Sequence, residues 1–188
     1  MPSHFLQALA AIYPLDPALT AALLSCARAE TWPAHHQLLR PGQVARQVYF
    51  LSSGLVRGYA LQHGREVSSW FMREGDFVIS IASFFTQTPG DEYLELLEAG
   101  EGFSLSYEHL QQLYHDFPTF NYHGRVLTEQ YYVLSELRAR HLRTLPAAER
   151  YAQLLRDFPD VLQRVSGRHL ASFLGITPET LSRLRAKM

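Results

Sequence analysis

SGRHLASFLGITPETLSRLRAK, residues Ser166–Lys187, places two short apolar repeats on either side of a glycine. Leu170, Ala171 and Leu174 stand at helical spacing before Gly175. Glycine ends a helix in the left-handed backbone without a Cβ clash. Thr177 can then cap a new helix through its hydroxyl, and Pro178 suits a first helical position, where no amide bond is lost. Leu181 and Leu184 repeat at i, i+3 and would face back onto the first helix. A small residue at 171 lets the two helices cross closely. The spacing therefore predicts a helix-turn-helix. An ordinary helical hairpin packing its own core would share the pattern, so the rest of the chain has to discriminate.

Charge is the first discriminator. The 188-residue chain has a net charge of −1, which by itself argues against a nucleic-acid partner. The charge is unevenly spread. Residues 124–188 carry 11 Lys and Arg against 6 Asp and Glu, or +5, and residues 1–123 carry 6 against 12, or −6. A basic C-terminal part on an acidic N-terminal part implies that only the former meets an anionic partner. Hydrophobic residues at 47% and charged residues at 19% fit a globular protein with a real core. The single cysteine, Cys26, rules out an internal disulfide and a cysteine-held metal cluster, and fits a reducing cytoplasm. No Lys or Arg precedes Arg28, which argues against a secretory leader. The longest apolar run, Phe77–Phe85, is too short to span a bilayer, so no membrane association is expected.

Along the chain, Ser3–Glu30 reads as helical, with Asp16 as a cap, Pro17 at a first helical position and Leu19, Leu23 and Cys26 as one buried stripe. His35 and His36 are adjacent and would point to opposite faces of a strand, so they are poorly placed to share a metal. From Leu38 to about Tyr107, glycines recur between short apolar segments. Val48–Leu51, Leu55–Leu61, Glu66–Met72, Phe77–Ile81, Tyr93–Leu97 and Gly102–Ser106 read as strands, with His63-Gly64 as a hairpin tip. Short strands at this spacing indicate a β-sandwich, jelly roll or barrel. Tyr107–Phe117 reads as a helix, broken at Phe117-Pro118. A long helix follows from about Thr119 to about Arg143, with Leu127, Leu134 and His141 at heptad spacing. Such a rod could seam two subunits or pack on the barrel. Leu145-Pro146 marks a boundary, and Ala147–Asp157 is a further helix. The fold class is α+β in three parts: an antiparallel β-roll at 1–118, a connecting helix at 119–145 and a helix-turn-helix domain at 146–188. The chain stops just after the second helix of the motif, so no C-terminal wing is expected.

This order resembles the Crp/Fnr family of bacterial transcription regulators, which join a cyclic-nucleotide-binding-type sensor to a helix-turn-helix. The matching residues are Leu39-Arg40-Pro41-Gly42, Val48–Arg57, Gly64-Arg65-Glu66, Gly75-Asp76-Phe77-Val78, Glu149-Arg150-Tyr151 and Arg168–Arg185. The resemblance implies a homodimer whose long helices pair and whose recognition helices enter successive major grooves of a palindromic operator, in the cytoplasm and in contact with RNA polymerase. It also implies an effector pocket at Gly75, Ile79, Ser80, Ser83, Gly90 and Asp91. In the cyclic-nucleotide binders a Gly-Glu pair holds the ribose and an Arg holds the phosphate. Here Ile79-Ser80 replaces the pair, and Gly90 or Asp91 replaces the Arg. A buried phosphodiester needs a cationic or multi-donor partner. Cyclic AMP is therefore disfavoured. Another small effector, neutral or cationic, remains open, as does a pocket filled by Phe84, Phe85 and Tyr93 that binds nothing.

On a helix starting at Pro178, Glu179, Ser182, Arg183 and Ala186 lie opposite Leu181 and Leu184. Arg183 can pair with guanine O6 and N7, and Glu179 can accept from cytosine N4. The family uses an Arg and a Glu at these places. A further family Arg is replaced by Pro178, so the operator is expected to differ. Thr177, Thr180, Ser182 and His169 are candidate phosphate or thymine-methyl contacts, and Arg168, Arg185 and Lys187 would supply backbone charge. The plainer reading of Glu179 and Arg183 is an i, i+4 surface ion pair. Two other function classes remain. A sensing or interaction module could have lost DNA binding. A cupin-like metalloenzyme would need several His and a Glu converging inside the roll, where the strand region offers only His63. No enzymatic activity is expected, and no cofactor is fixed by the residues, leaving cyclic AMP or another small effector as candidates.

Overall fold

Alternation of apolar and polar residues builds a roll of two sheets with helices packed on both outer faces. The computed structural model describes residues 2–186. Two helices open the chain, α1 at Pro2–Ala10 and α2 at Pro17–Cys26. Asp16 caps α2 by accepting from the Leu19 amide at 2.8 Å, as its place before Pro17 predicts. The strands are β1 (Arg28–Trp32), β2 (Gln37–Leu39), β3 (Gln47–Ser53), β4 (Val56–Gln62), β5 (Arg65–Met72), β6 (Phe77–Val78), β7 (Glu92–Leu96) and β8 (Gly100–Ser106). A short helix, α3 (Ile81–Thr86), interrupts them. The described strands pair antiparallel in two sheets, β1-β8-β3-β6 and β2-β7-β4-β5.

Two expectations about elements are corrected. Helix does not run on to Glu30: α2 stops at Cys26, and Arg28–Trp32 pairs along β8. The alternating, β-branched or aromatic content of Ala29–Trp32 finds a strand partner that local periodicity cannot reveal. The strand read over Phe77–Ile81 ends at Val78, because Ser80 turns the backbone into α3. The hairpin tip is where its residues place it. Gln62 pairs with Arg65, and His63 and Gly64 both take left-handed φ, 49° and 74°.

Between the sheets lie Trp32, Leu51, Val56, Met72, Val78, Phe84, Leu94 and Leu96. The outer face of the first sheet presents Phe50, Phe103 and Leu105 to Phe5, Leu9, Leu19, Leu23, Leu113 and Phe120 of the helices. These helices include α4 (Tyr107–Asp116) and α5 (Phe120–Thr144). The outer face of the second sheet carries the C-terminal helices: α6 (Ala147–Asp157), α7 (Val161–Arg164), α8 (Gly167–Leu174) and α9 (Pro178–Arg185). Leu55 and Phe71 of the roll join Tyr151, Leu154, Val161, Leu170 and Leu181 in one buried cluster.

Candidate nucleic-acid interface and effector site

The turn between α8 and α9 closes as its residues require. Ser166 caps α8, accepting from the His169 amide at 3.2 Å. Gly175 has φ 64°, its amide donates to the Ser172 carbonyl at 3.1 Å, and the Ile176 amide donates to Ala171 at 3.0 Å. This pair of bonds satisfies the last carbonyls of α8 in the Schellman arrangement. Thr177 then caps α9, accepting from the Thr180 amide at 3.2 Å, with Pro178 at the first position. Leu170, Ala171, Leu174 and Leu181 are buried, and Leu184 packs on them half-buried.

The opposite face of α9 looks outward. Glu179, Ser182, Arg183 and Ala186 are exposed, as are Thr177, Arg168 and Arg185, and Thr180 is half-buried. Lys187 lies outside the described residues. The surface ion pair between Glu179 and Arg183 is not among the described salt bridges: Arg183 Nη2 donates instead to Thr180 Oγ1 at 3.2 Å. The Thr177 hydroxyl and the α9 amide of Glu179 itself hold the Glu179 carboxyl below the usual carboxylate range. It stays an acceptor at neutral pH.

His169 departs from the group. Its ring turns to the roll, where Arg57 Nη1 donates to Nε2 at 3.0 Å. Glu66 Oε2 lies 3.7 Å from the same nitrogen, a pairing that would need the imidazolium. Burial first, and Arg57 second, lower the His169 pKa, so the neutral ring accepting from Arg57 governs. In this arrangement His169 is a docking residue and not part of the outward face.

Arg57 is the centre of that docking, and sequence reading did not single it out beyond its place in a motif. It is 1% exposed. Its Nε donates to Ser68 Oγ at 2.8 Å and its Nη1 to Glu66 Oε2 at 2.8 Å, while the guanidinium lies 4.2 Å from the Tyr59 ring centroid. Ser172 of α8 bridges the same strand, accepting from the Ser68 amide and donating to the Glu66 carbonyl. Arg138 of α5 stacks on Phe173 and donates to the carbonyls of Ser68 and Phe173. Burial and the nearby Arg150 bring its pKa down to about 10, which leaves it charged. Arg164 of α7 holds Glu74 and Glu98 of the roll, and Arg73 pairs with Asp160. The only hint in the sequence is an arginine in an otherwise apolar strand, Leu55–Leu61.

The expected effector segment is closed on itself. Gly75 takes φ 89°, and Asp76 accepts from the Arg73 amide at 2.8 Å. Ile79 is half-buried and Ser80 is buried at the start of α3. Ser83 accepts from the Ala45 amide at 2.9 Å and donates to the Thr88 carbonyl at 2.6 Å. Gly90 lies so close that a Cβ there would sit 3.2 Å from Ser83 Cβ. Asp91 is exposed. Its neighbour Glu92 turns inward against Gly58. Burial raises the Glu92 pKa, Ser80 opposes that with a hydrogen bond, and Asp91 adds to it. The described ion pairs give neither acid a cation. Of the three aromatics expected to fill this space, one does. Phe84 is buried in the interior core. Phe85 is 54% exposed, and Tyr93 lies on the outer face, stacked on Tyr59 at 4.7 Å. Tyr93 follows Glu92 by one residue, and the alternation of β7 sends it outward.

Among the described residues there is no group of three His, Cys, Asp or Glu placed to hold a metal ion, and no helix is long and apolar enough to cross a membrane. The family model for the cyclic nucleotide-binding domain matches residues 29–117. The CRP-like protein Clp of Xanthomonas campestris pv. campestris is 25% identical over 190 residues, covering 93% of this chain and 83% of its own. The solved structure of Clp, described as a c-di-GMP responsive global regulator, overlays with TM-score 0.73 at 24% identity, covering 92% of this chain and 91% of that one. FixK2 from Bradyrhizobium japonicum overlays with TM-score 0.76 at 20% identity, covering 86% and 83%. The catabolite activator protein of Thermus thermophilus does so with TM-score 0.59 at 20% identity, covering 96% and 85%. Residues 29–117 thus match the cyclic nucleotide-binding domain family, and the chain as a whole is similar in sequence to CRP-like Clp and shares the fold of these regulators.

Proposed function

We propose that this chain regulates transcription by binding duplex DNA as a homodimer, with the roll setting how the helix-turn-helix is held. The outward face of α9 carries the reading. Glu179, Ser182 and Arg183 are exposed on one side of a helix whose other side, at Leu181, is 1% exposed. A packing hairpin has no need of that polarity. Arg183 suits guanine and Glu179 suits cytosine N4, with Arg168 and Arg185 placed for phosphates. The +5 charge of residues 124–188 supports the same partner. The boundaries 1–118, 119–145 and 146–188 serve as sensor, connecting helix and DNA-binding domain. Dimerisation is supported by α5, where Tyr132, Val133 and Leu134 are 65%, 54% and 46% exposed. The protein works in the cytoplasm by binding, not by catalysis, and RNA polymerase is the further partner such a regulator addresses.

The effector, on this reading, is not cyclic AMP. A phosphate at Gly90 would meet Ser83 on one side and the Glu92 carboxyl nearby, with no cation paired there among the described residues. Burying an unpaired charge is strongly unfavourable. The cyclic dinucleotide named for Clp carries two such charges, and the same physics weighs against it. Duplex binding measured against salt tests the main proposal. A steep loss of affinity between 50 and 200 mM salt is expected from phosphate contacts. A chain with no duplex affinity even at low salt would fit the sensing-module alternative instead.

A further inference from the structure

Helix α8 rests on the roll in a defined direction. Glu66 of β5 lies beside His169 of α8, Ser68 beside Ser172, and Phe71 beside Phe173, with ring centroids 5.1 Å apart. The strand and the helix therefore run side by side in the same sense. At about 3.3 Å per strand residue and about 1.5 Å per helix residue, Gly64 stands about 7 Å beyond Glu66 and Ser166 about 4.5 Å beyond His169. The tip of the β4–β5 hairpin thus reaches at least as far as the N-terminal end of α8. Its two-residue turn, with Gln62 paired to Arg65, leaves it little slack.

Three arginines gather at that end. Arg65 is at the tip, Arg168 is in the first turn of α8 and Arg185 closes α9, and all three are exposed. Arg168 is near enough to the Glu66 carboxyl to help hold its pKa down. Arg185 Nη1 is the atom that a Cβ on Gly167 would meet, at 3.8 Å. None of the three enters an ion pair among the described residues. The nearest acid is already spent: Arg57 takes Glu66, and strand alternation turns Arg65 away from it. Residues 61–65 contain no Asp or Glu, although the N-terminal part they belong to carries −6. Like charges gathered without matching counter-charges repel, and an anion that spans them relieves the repulsion.

We infer that the roll itself touches DNA: with α9 in the major groove, Arg65 at the β4–β5 tip contacts a backbone phosphate next to those met by Arg168 and the first amides of α8. This rests on the duplex binding proposed above and goes beyond it, because it makes the docked arrangement of roll and helix-turn-helix the one that holds DNA. In a helix-turn-helix the first helix crosses the backbone while the second enters the groove, and a helix N-terminus offers its amides to an anion. The phosphates at the start of α8 therefore meet the hairpin end-on, where side chains from either face of β5 are in reach. All the described strands belong to the roll, so the hairpin at this place is the roll's and not one carried by the C-terminal helices. Such a contact adds affinity and fixes orientation without reading bases.

Fluorescence anisotropy of a labelled mixed-sequence duplex, titrated with the full chain at roughly 50 to 200 mM NaCl, counts the phosphates contacted through the salt slope. Arg65→Ala is expected to lower the slope of log K against log salt by about 0.9 and to weaken binding about five- to tenfold at the middle of that range. Arg65→Lys should keep the wild-type slope, since a phosphate needs the charge. Arg28→Ala removes the same charge from an exposed position on the edge of the first sheet and should change neither quantity. A wild-type slope retained in Arg65→Ala, an equal fall in Arg28→Ala, or a fall in Arg65→Lys as large as in Arg65→Ala would overturn the inference while leaving duplex binding intact. A wild type with no duplex affinity at any salt would remove the reading beneath it as well, so the two failures are distinct.

Discussion

Arg57 sits in a strand that otherwise reads Leu-Val-Gly-Tyr-Ala-Leu, and it is buried because α8 covers it. Its partners are Ser68, the Glu66 carboxylate and the neutral His169 ring. Removing one member of such a set strands the others. Glu66 keeps 32% of its side chain exposed, so water offsets part of the loss. Arg57→Leu should therefore destabilise the fold by about 2 kcal/mol, less than the 3–5 of a sealed pair. Chemical denaturation measures it, and amide exchange should rise first in α8. An unchanged midpoint would contradict the role. The same contact has a pH dependence. Burial and Arg57 lower the His169 pKa, while Arg57 also holds the Glu66 carboxyl low enough to stay charged in this range. Glu95 and Arg168, the other charges acting on the ring, pull in opposite senses. The unfolded chain thus takes up a proton first as pH falls. Stability from His169 is complete above its ordinary pKa of about 6.5 and declines from there toward the lowered folded value. Thermal unfolding from pH 7.5 to 5.5 should show that decline in the wild type and lose that component in His169→Gln.

At the scale of elements, α8, the turn and α9 were legible because every determinant is local. Ser166, Gly175, Thr177 and Pro178 act within three residues of themselves, and Leu170, Leu174 and Leu181 repeat at helical spacing. The β4–β5 hairpin at His63-Gly64 was legible for the same reason. The strand β1 was not, since its partner β8 lies some seventy residues away, Arg28 facing Ser104. Nor was the docking of His169 on Arg57, 112 residues apart. Nothing in a one-dimensional pattern encodes which sheet face a C-terminal domain will cover. Helix α5 was legible as a long rod, but its two uses were not separable. Leu127 turns into the protomer, while Leu134, one heptad on, is 46% exposed. An apolar stripe left outside on a charged helix suits a second copy of itself. Leu134→Glu would place like charges across such a seam. Sedimentation should show a dimer for the wild type and a monomer for the variant, with the helical content unchanged. A wild type that sediments as a monomer at all concentrations would contradict the pairing.

For the whole molecule, an acidic roll and a basic helix-turn-helix are joined through a rigid α5 and clamped by Arg57, Arg73, Arg138 and Arg164. Such a clamp fixes the angle at which α9 is presented, and anything that moves α5 changes it. The effector segment is closed by Ser83 and Gly90 and turns the half-buried Glu92 inward, so the roll keeps the fold of the structures it resembles with an acidic side chain at that place. The claim on which the account turns is that α9 reads bases through Arg183. Selection from a random duplex library, run in parallel with the wild type and Arg183→Ala, measures this directly. The wild type should enrich a two-fold symmetric sequence. The variant should bind that sequence about 1–3 kcal/mol more weakly and lose its preference at one base pair in each half. Enrichment of no sequence by the wild type, or an identical preference in the variant, would contradict it.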